Sequence, residues 1–159
     1  MKKNEQKTNV MRLLDQAKIP YEAHCYADTD AVSGVEVATV LNQPPERVFK
    51  TLVTVAKSGT HYVFVIPCDK ELQLKKAAAA VGEKAIEMIK SKELLPLTGY
   101  IHGGCSPVGM KKPFCTVMHE TAGNQPTICV SAGKIGYQVE VAPADLQKAV
   151  KFTYADIAE

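Results

Sequence analysis

The chain has 159 residues, of which 46% are hydrophobic and 23% charged, and its formal net charge is +2. This composition is typical of one globular domain covering residues 1–159 and excludes a disordered chain. No apolar run approaches the roughly 20 residues of a membrane span, and Lys2 and Lys3 are followed by polar residues where a signal peptide needs an apolar core. We therefore expect a cytoplasmic protein with no membrane partner.

Apolar spacing in the first half of the chain predicts helices that alternate with strands. Ser33 and Glu36 have the spacing of a capping box, which marks the start of a helix, and Pro20 ends the helix before it. Ser58 and Gly59 are typical of a hairpin turn. The predicted elements are a helix over 7–17, a strand over 21–26, a helix from Ser33 to about Leu41, and a hairpin of strands over 48–56 and 61–66.

The second half predicts short strands and two further helices. Gly82 closes an alanine-rich helix, and Pro143 is placed to begin another. The predicted elements are a helix over 72–81, a strand over 85–89, a helical turn over 90–95, strands over 114–119, 127–131 and 138–141, and a helix from Pro143 through Val150. Strands joined by hairpins as well as by helices predict an α/β (α+β) fold with a mixed, curved, barrel-like sheet flanked by helices.

The cysteines and histidines do not form a recognisable ligand pattern. The cysteines are odd in number, widely spaced and without a CxxC pair, so reduced thiols are expected and neither a disulfide framework nor a zinc site is indicated. The four histidines are equally dispersed. We predict no metal and no cofactor. The cysteines are Cys25, Cys68, Cys105, Cys115 and Cys129.

A glycine-rich segment over 98–112 is the most informative part of the sequence. Gly103 and Gly104 can adopt positive φ and let a ligand approach the main chain, and Pro107 makes the following turn rigid. Successive N–H groups in such a turn can hold an anion or a polarised carbonyl oxygen. A long hairpin connection with unusual turn residues is the alternative interpretation.

Two further polar positions interrupt apolar strands. Lys50 and Thr51 stand in the apolar run 49–53, and a lysine is almost never fully buried without a partner. Lys50 is therefore expected to point into a cleft, unless it lies at a strand edge with its amine in water. Ser131 begins the small-residue segment 131–136, for which a plain hairpin turn is the alternative.

These three segments, in this order and at these separations, closely resemble the YbaK/EbsC family of aminoacyl-tRNA deacylases. The motifs are Phe49-Lys-Thr-Leu52, Thr98-Gly-Tyr-Ile-His-Gly-Gly-Cys-Ser-Pro-Val-Gly-Met-Lys-Lys112 and Val130-Ser-Ala-Gly-Lys-Ile-Gly136. The resemblance extends over nearly the whole chain. It implies the fold of the editing domain that is inserted in bacterial prolyl-tRNA synthetases, to which the family is related.

The resemblance also implies roles for individual residues. The lysine of the first motif is the principal functional side chain of the family, and the glycines of the second suit a developing oxyanion. At position 138 the family pattern often has aspartate, so the role of a carboxylate there does not transfer to this chain. The implied catalytic residues are Lys50, Gly103 and Gly104, and the implied substrate-binding residues are Tyr26, Thr51, Ser131 and Gln138.

The activity implied by the resemblance is trans-editing of Cys-tRNA(Pro). In the YbaK branch the thiol of the substrate cysteine is understood to attack its own ester carbonyl and to leave as a cyclic thioester, which explains the absence of a catalytic triad. The expected partner is a mischarged aminoacyl-tRNA, with prolyl-tRNA synthetase as a candidate second partner.

Three alternatives remain open from the sequence. The chain could edit Ala-tRNA(Pro) or another mischarged tRNA with activated water. Cys105 could be a nucleophile with His102 as its base. The chain could also be a non-catalytic tRNA-binding or synthetase-binding module, with a basic rim formed by Lys75, Lys76, Lys84, Lys111, Lys112 and Lys134.

Overall fold

Two β-sheets form the frame of the protein in a computed structural model that describes residues 7–159, so Lys2 and Lys3 lie outside the described residues. The strands are β1 (Glu22–Cys25), β2 (Phe49–Ala56), β3 (His61–Pro67), β4 (Ile86–Met88), β5 (Cys115–His119), β6 (Ile128–Ser131), β7 (Tyr137–Val141) and β8 (Phe152–Ala155). The helices are α1 (Asn9–Gln16), α2 (Gly34–Val40), α3 (Leu74–Val81), α4 (Ser91–Thr98) and α5 (Pro143–Leu146), with 3₁₀ turns at Pro45–Arg47 and Glu120–Asn124.

The two sheets differ in strand direction. The smaller sheet has the order β1-β7-β6 and is antiparallel throughout. The larger sheet has the order β4-β2-β3-β5-β8, in which β2 pairs antiparallel with β3 and β4, whereas β5 pairs parallel with β3 and β8. The predicted combination of mixed strand pairing and flanking helices is confirmed. The strands form two separate sheets that are not closed into a barrel.

The main core lies between the two sheets. Val53 and Val63 of the larger sheet belong to the same buried cluster as Val130 and Val139 of the smaller sheet, and α1 closes one side of it with Leu14. A second cluster covers the opposite face of the larger sheet, where small side chains let α3 approach closely. The residues in contact there include Phe64, Ile66, Ala77 and Ala78.

Helix α2 covers the outer face of the smaller sheet. Its predicted capping box is confirmed, because the Ser33 hydroxyl accepts the Glu36 N–H at 3.2 Å and the Glu36 carboxylate accepts the Ser33 N–H at 3.0 Å. Ala38 of this helix packs in one cluster with Cys129 of β6. Val48, directly before β2, forms a bridge with the same Cys129. The start of β2, helix α2 and the end of β6 therefore meet at one place.

Three elements differ from the prediction. Helix α4 continues past Pro96 to Thr98, whose hydroxyl donates to the Leu94 carbonyl at 2.7 Å. Helix α5 ends at Leu146 and not at Val150, and the predicted set lacked β8. Within residues 7–159, no helix is long and apolar enough to cross a membrane.

Candidate functional site

A cavity of about 330 Å³ opens where β2, α2, the glycine-rich segment and the ends of β6 and β7 meet. This volume suits an aminoacyl group and part of a nucleotide, at the small end of the range for ligand pockets. Most of the residues expected from the sequence line it. They are Tyr26, Lys50, Thr51, Gly103, Ser131 and Gln138.

Lys50 is half-buried at the start of β2, where it pairs in register with Ile66 of β3. No described residue forms an ion pair or a hydrogen bond with its amine, and no aspartate or glutamate lines the cavity. The positive charge of Lys50 affects the pKa of a neighbouring thiol. Burial raises the pKa of the Cys68 thiol to about 11, and the positive charge of Lys50 opposes this rise. A half-buried cation without an acidic partner is suited to hold an anionic part of a ligand.

Thr51 follows on the same strand and presents an unsatisfied hydroxyl. Its Oγ1 atom is buried and has no hydrogen-bond partner in the described structure. A buried hydroxyl without a partner costs about 1–3 kcal/mol, and native proteins contain few of them. Because Thr51 lines the cavity, a bound ligand could satisfy this hydroxyl.

The two adjacent glycines have different roles. Gly103 lines the cavity at φ +88°, and its N–H has no hydrogen-bond partner among the described residues. Gly104 is not part of the lining, and its N–H donates to the Ile101 carbonyl at 3.0 Å. A Cβ atom at Gly104 would lie 3.2 Å from the Ile135 nitrogen, so this glycine lets two loops pack closely. The structure thus gives Gly104 a packing role and leaves Gly103 as the available donor.

Tyr26 and Ser131 also line the cavity. Tyr26 is 4% exposed, and burial raises the pKa of its phenol, which keeps the phenol neutral. The Ser131 hydroxyl accepts the N–H of Gly133 at 3.1 Å, in a turn where Gly133 has φ +89°. That bond uses a lone pair of the serine oxygen, so its proton remains available to a ligand.

Gln138 forms a hydrogen-bonded amide pair that the sequence did not indicate. Gln43 Nε2 donates to Gln138 Oε1 at 2.8 Å, and Gln138 Nε2 donates to Gln43 Oε1 at 3.1 Å. Gln138 is 3% exposed on β7, whereas Gln43 lies just beyond α2. Because 95 positions separate the two glutamines, no local sequence pattern could have paired them.

The cysteines that line the cavity are protonated. Burial raises the pKa of the Cys105 thiol to about 12 and that of the Cys129 thiol to about 12. His102 is exposed at the cavity, and no hydrogen bond between His102 and Cys105 is found within residues 7–159. A thiol with so high a pKa is a poor nucleophile near neutrality, so the geometry gives no support to a Cys105–His102 pair.

The lysines considered for a basic rim are not part of the cavity lining. Lys76 forms ion pairs with Asp156 at 3.0 Å and Glu159 at 2.9 Å, and the amine of Lys134 lies 5.5 Å from the centre of the Tyr137 ring. These six lysines therefore do not contribute side chains to the cavity itself.

Strand pairing creates a group of metal-ligating side chains that the linear sequence did not suggest. Ligand atoms of Glu22, His24 and Glu140 lie within 4.8 Å of one another, outside the cavity lining. His24 Nε2 is 2.8 Å from the Glu140 carboxylate, which also accepts the Thr127 hydroxyl. These hydrogen bonds lower the pKa of Glu140 and hold its carboxylate beside His24.

Comparisons with known proteins identify one family. The family model described as an aminoacyl-tRNA editing domain matches residues 28–149. EbsC of Enterococcus faecalis, provisionally named a Cys-tRNA(Pro)/Cys-tRNA(Cys) deacylase, is 46% identical over 157 residues, which cover 98% of this chain and 96% of EbsC. A proline–tRNA ligase of Thermosipho africanus is 28% identical over 107 residues, or 60% of this chain and 19% of the ligase.

Solved structures show the same fold. A crystal structure provisionally described as a trans-editing enzyme for prolyl tRNA synthetase has a TM-score of 0.81 and 24% identity, and the match covers 94% of both chains. A second crystal structure, of a hypothetical protein, has a TM-score of 0.86 and 23% identity over 94% of this chain and 99% of the other. At such identities these matches establish the fold alone.

Proposed function

The chain belongs to the aminoacyl-tRNA editing domain family, and we propose that it deacylates mischarged tRNA, with Cys-tRNA(Pro) as its substrate. One observation carries the proposal. The cavity brings together a lysine without an acidic partner, a buried hydroxyl without a hydrogen bond and a free backbone N–H, at Lys50, Thr51 and Gly103. These groups meet the needs of an aminoacyl ester next to a phosphate.

Lys50 is placed to bind the negatively charged end of the tRNA. An aminoacyl-tRNA offers its 3′-terminal phosphates beside the ester, and a lysine holds phosphate as a point charge. Since no carboxylate of residues 7–159 lines the cavity, Lys50 need not break an ion pair with any of them before it binds. Its position at the start of β2 keeps its backbone rigid while its amine reaches into the cavity.

Gly103 and Thr51 are suited to stabilise the transition state. Attack on the ester carbonyl produces a negative oxygen, which preorganised N–H and O–H donors stabilise in a site that excludes water. The N–H of Gly103 and the hydroxyl of Thr51 have no competing partners among residues 7–159. The Ser131 hydroxyl, which also lines the cavity, has one proton to offer.

The nucleophile in this mechanism belongs to the substrate. The sulfur of the charged cysteine attacks the ester carbonyl, the bond to the ribose oxygen breaks, and that oxygen takes up a proton. The products are free tRNA and a cyclic thioester, which water then opens. Intramolecular attack can supply about 7–11 kcal/mol, from which the strain of a four-membered ring subtracts. The protonated state of Cys105 and Cys129 favours this mechanism over one with an enzyme thiol.

We propose that this chain recognises the tRNA only in part and that a partner protein contributes the rest. A net charge of +2 provides little long-range attraction for a polyanion, and the lysines considered for a basic rim do not line the cavity. A synthetase partner, such as prolyl-tRNA synthetase, would supply the missing affinity. Deacylation that becomes faster when the synthetase is added would support this role.

Hydrolysis of Cys-tRNA(Pro) by the pure protein tests the function. We expect loss of the radiolabelled cysteine at a rate proportional to enzyme concentration, while Pro-tRNA(Pro) remains intact. Tight tRNA binding without release of the amino acid would show a binding module instead. Faster cleavage of Ala-tRNA(Pro) than of Cys-tRNA(Pro) would point to water as the nucleophile, with the exposed His102 as the candidate base.

A further inference from the structure

The cavity contains a positive group and no negative one. Among residues 7–159, Lys50 is the only lysine or arginine in its lining, and no aspartate or glutamate of this range belongs to it. Several carboxylates lie near the lining without belonging to it. Burial first, and then Asp69 and Glu46, raise the pKa of the Cys68 thiol, which Lys50 lowers, and two other carboxylates are already hydrogen-bonded. Glu36 accepts the N–H groups of Val32 and Ser33, and Glu140 contacts His24 and Thr127. The other titratable groups that face the space are Tyr26, His102, Cys105 and Cys129.

The Gln43–Gln138 amide pair supplies a neutral polar surface in place of a carboxylate. Each amide uses one proton and one lone pair in the two bonds between them, at 2.8 and 3.1 Å. An amide carbonyl has two lone pairs and its NH₂ group has two protons, so Gln138 retains capacity for one bond of each kind. Because Gln138 is 3% exposed and lines the cavity, a ligand group is the natural partner for that capacity.

Every aminoacyl ester carries an α-amino group on the carbon next to the carbonyl that reacts. Free α-amino groups have a pKa of roughly 7.7–8.0, so the protonated form dominates at neutrality and below. A protonated amine would enter a cavity where Lys50 repels it and no carboxylate compensates. An uncharged amine can both donate to and accept from the amide of Gln138.

We propose that the cavity accepts the aminoacyl ester with its α-amino group uncharged, and that Gln138, held in place by Gln43, is the hydrogen-bond partner of this amine. The inference rests on the deacylase function proposed above and concerns the same site. Gln138 is then a specificity residue that touches the substrate, and Gln43 is a positioning residue that acts through it.

A change in the substrate tests this directly. The rate is measured from about pH 6 to pH 9 with Cys-tRNA(Pro) and with the same tRNA carrying the 2-hydroxy-3-mercaptopropionyl group, which keeps the thiol and lacks the amine. Spontaneous hydrolysis is subtracted for each ester. Any dependence on enzyme groups is common to both esters. The neighbouring ammonium lowers the pKa of the cysteinyl thiol, so each rate is first divided by the thiolate fraction measured for that ester. The ratio of the corrected kcat/KM values then isolates the amine.

The ratio of cysteinyl to hydroxy ester is expected to fall by about tenfold for each pH unit below the pKa of the substrate ammonium. A ratio that stays constant across this range would overturn the inference and leave the deacylase function intact. If neither ester is cleaved at any pH, the deacylase function fails, and the inference fails with it.

A matched pair of variants gives a second readout from the protein. Gln138→Glu places a carboxylate where the amine binds, and Gln16→Glu makes the same change on an exposed helix end outside the cavity. The Gln138→Glu protein should lose most of the decline in kcat/KM at low pH, whereas Gln16→Glu should keep the wild-type profile. A folded Gln138→Glu protein with an unchanged pH profile of kcat/KM would contradict the role of Gln138. If that variant does not fold, the comparison of the two esters tests the inference by itself.

Discussion

Replacing Lys50 by alanine should remove most of the deacylase activity without unfolding the protein. The lysine forms no ion pair and no hydrogen bond within residues 7–159, so its loss leaves no opposite charge buried. We therefore expect the free energy of unfolding to change by about 1 kcal/mol or less. A charge-assisted contact that acts in the transition state supplies about 2–4 kcal/mol, which corresponds to a fall of roughly 30- to 900-fold in kcat/KM.

The assay is release of cysteine from Cys-tRNA(Pro) under single-turnover conditions, together with thermal unfolding. Lys50→Met keeps the length and packing of the side chain and removes only its charge, so it should be as inactive as Lys50→Ala. Lys57→Ala, at an exposed position just after β2, should behave like the wild type. A folded Lys50→Met protein with nearly wild-type kcat/KM would refute the role of the charge.

The remaining predictions concern the glycine-rich segment and the response to pH. Cys105→Ala should retain most activity in the deacylation assay, and a covalent adduct trapped on Cys105 would contradict this. Gly103→Val should be severely impaired in kcat/KM, since Gly103 has φ +88° and a Cβ atom there would lie 2.9 Å from Val32 Cγ1. Gly59→Val is the control, because Gly59 has φ +92° and nothing lies within 4 Å of the added Cβ atom. It should lose stability but keep activity. Equal loss of activity in both variants would argue against a role of Gly103 in the cavity. Burial lowers the pKa of His119, which accepts the Ile157 N–H through Nδ1. Because the unfolded chain then binds the proton more readily, the free energy of unfolding should fall as the pH drops below about 6.5, and urea denaturation of a His119→Gln variant should show a weaker fall.

Elements with strong local signals were predictable from the sequence. The capping box of Ser33 and Glu36 lies where expected, and the hairpin of β2 and β3 turns at Gly59, whose φ is +92°. The strand β8 was missed because it has four residues and pairs only with β5, in parallel, so its stability depends on a distant partner. Helix α4 runs through Pro96 because tertiary and capping contacts, among them the bond from Thr98 to Leu94, outweigh the cost of the proline.

The candidate site was predictable at positions where the residue type is unusual for the local sequence. Lys50 and Thr51 interrupt an apolar strand, and Gly103 lies in a segment rich in turn residues. Gln43 could not be found, since it follows an ordinary helix end and acquires its role only through Gln138 on another element. Gly104 has the same sequence signature as Gly103, and only the three-dimensional structure shows that its N–H is already bonded to Ile101.

Deacylation of one proline tRNA charged in turn with cysteine, serine and alanine tests the substrate-thiol mechanism most directly. Serine differs from cysteine by the exchange of sulfur for oxygen, so both esters should fit a cavity of about 330 Å³. If the substrate thiol is the nucleophile, the cysteinyl ester should be cleaved far faster than the other two, because a hydroxyl of high pKa is a poor nucleophile without a base. Equal rates for cysteine and serine at matched enzyme and salt would contradict this mechanism, and a preference for alanine would assign the chain to water-dependent editing.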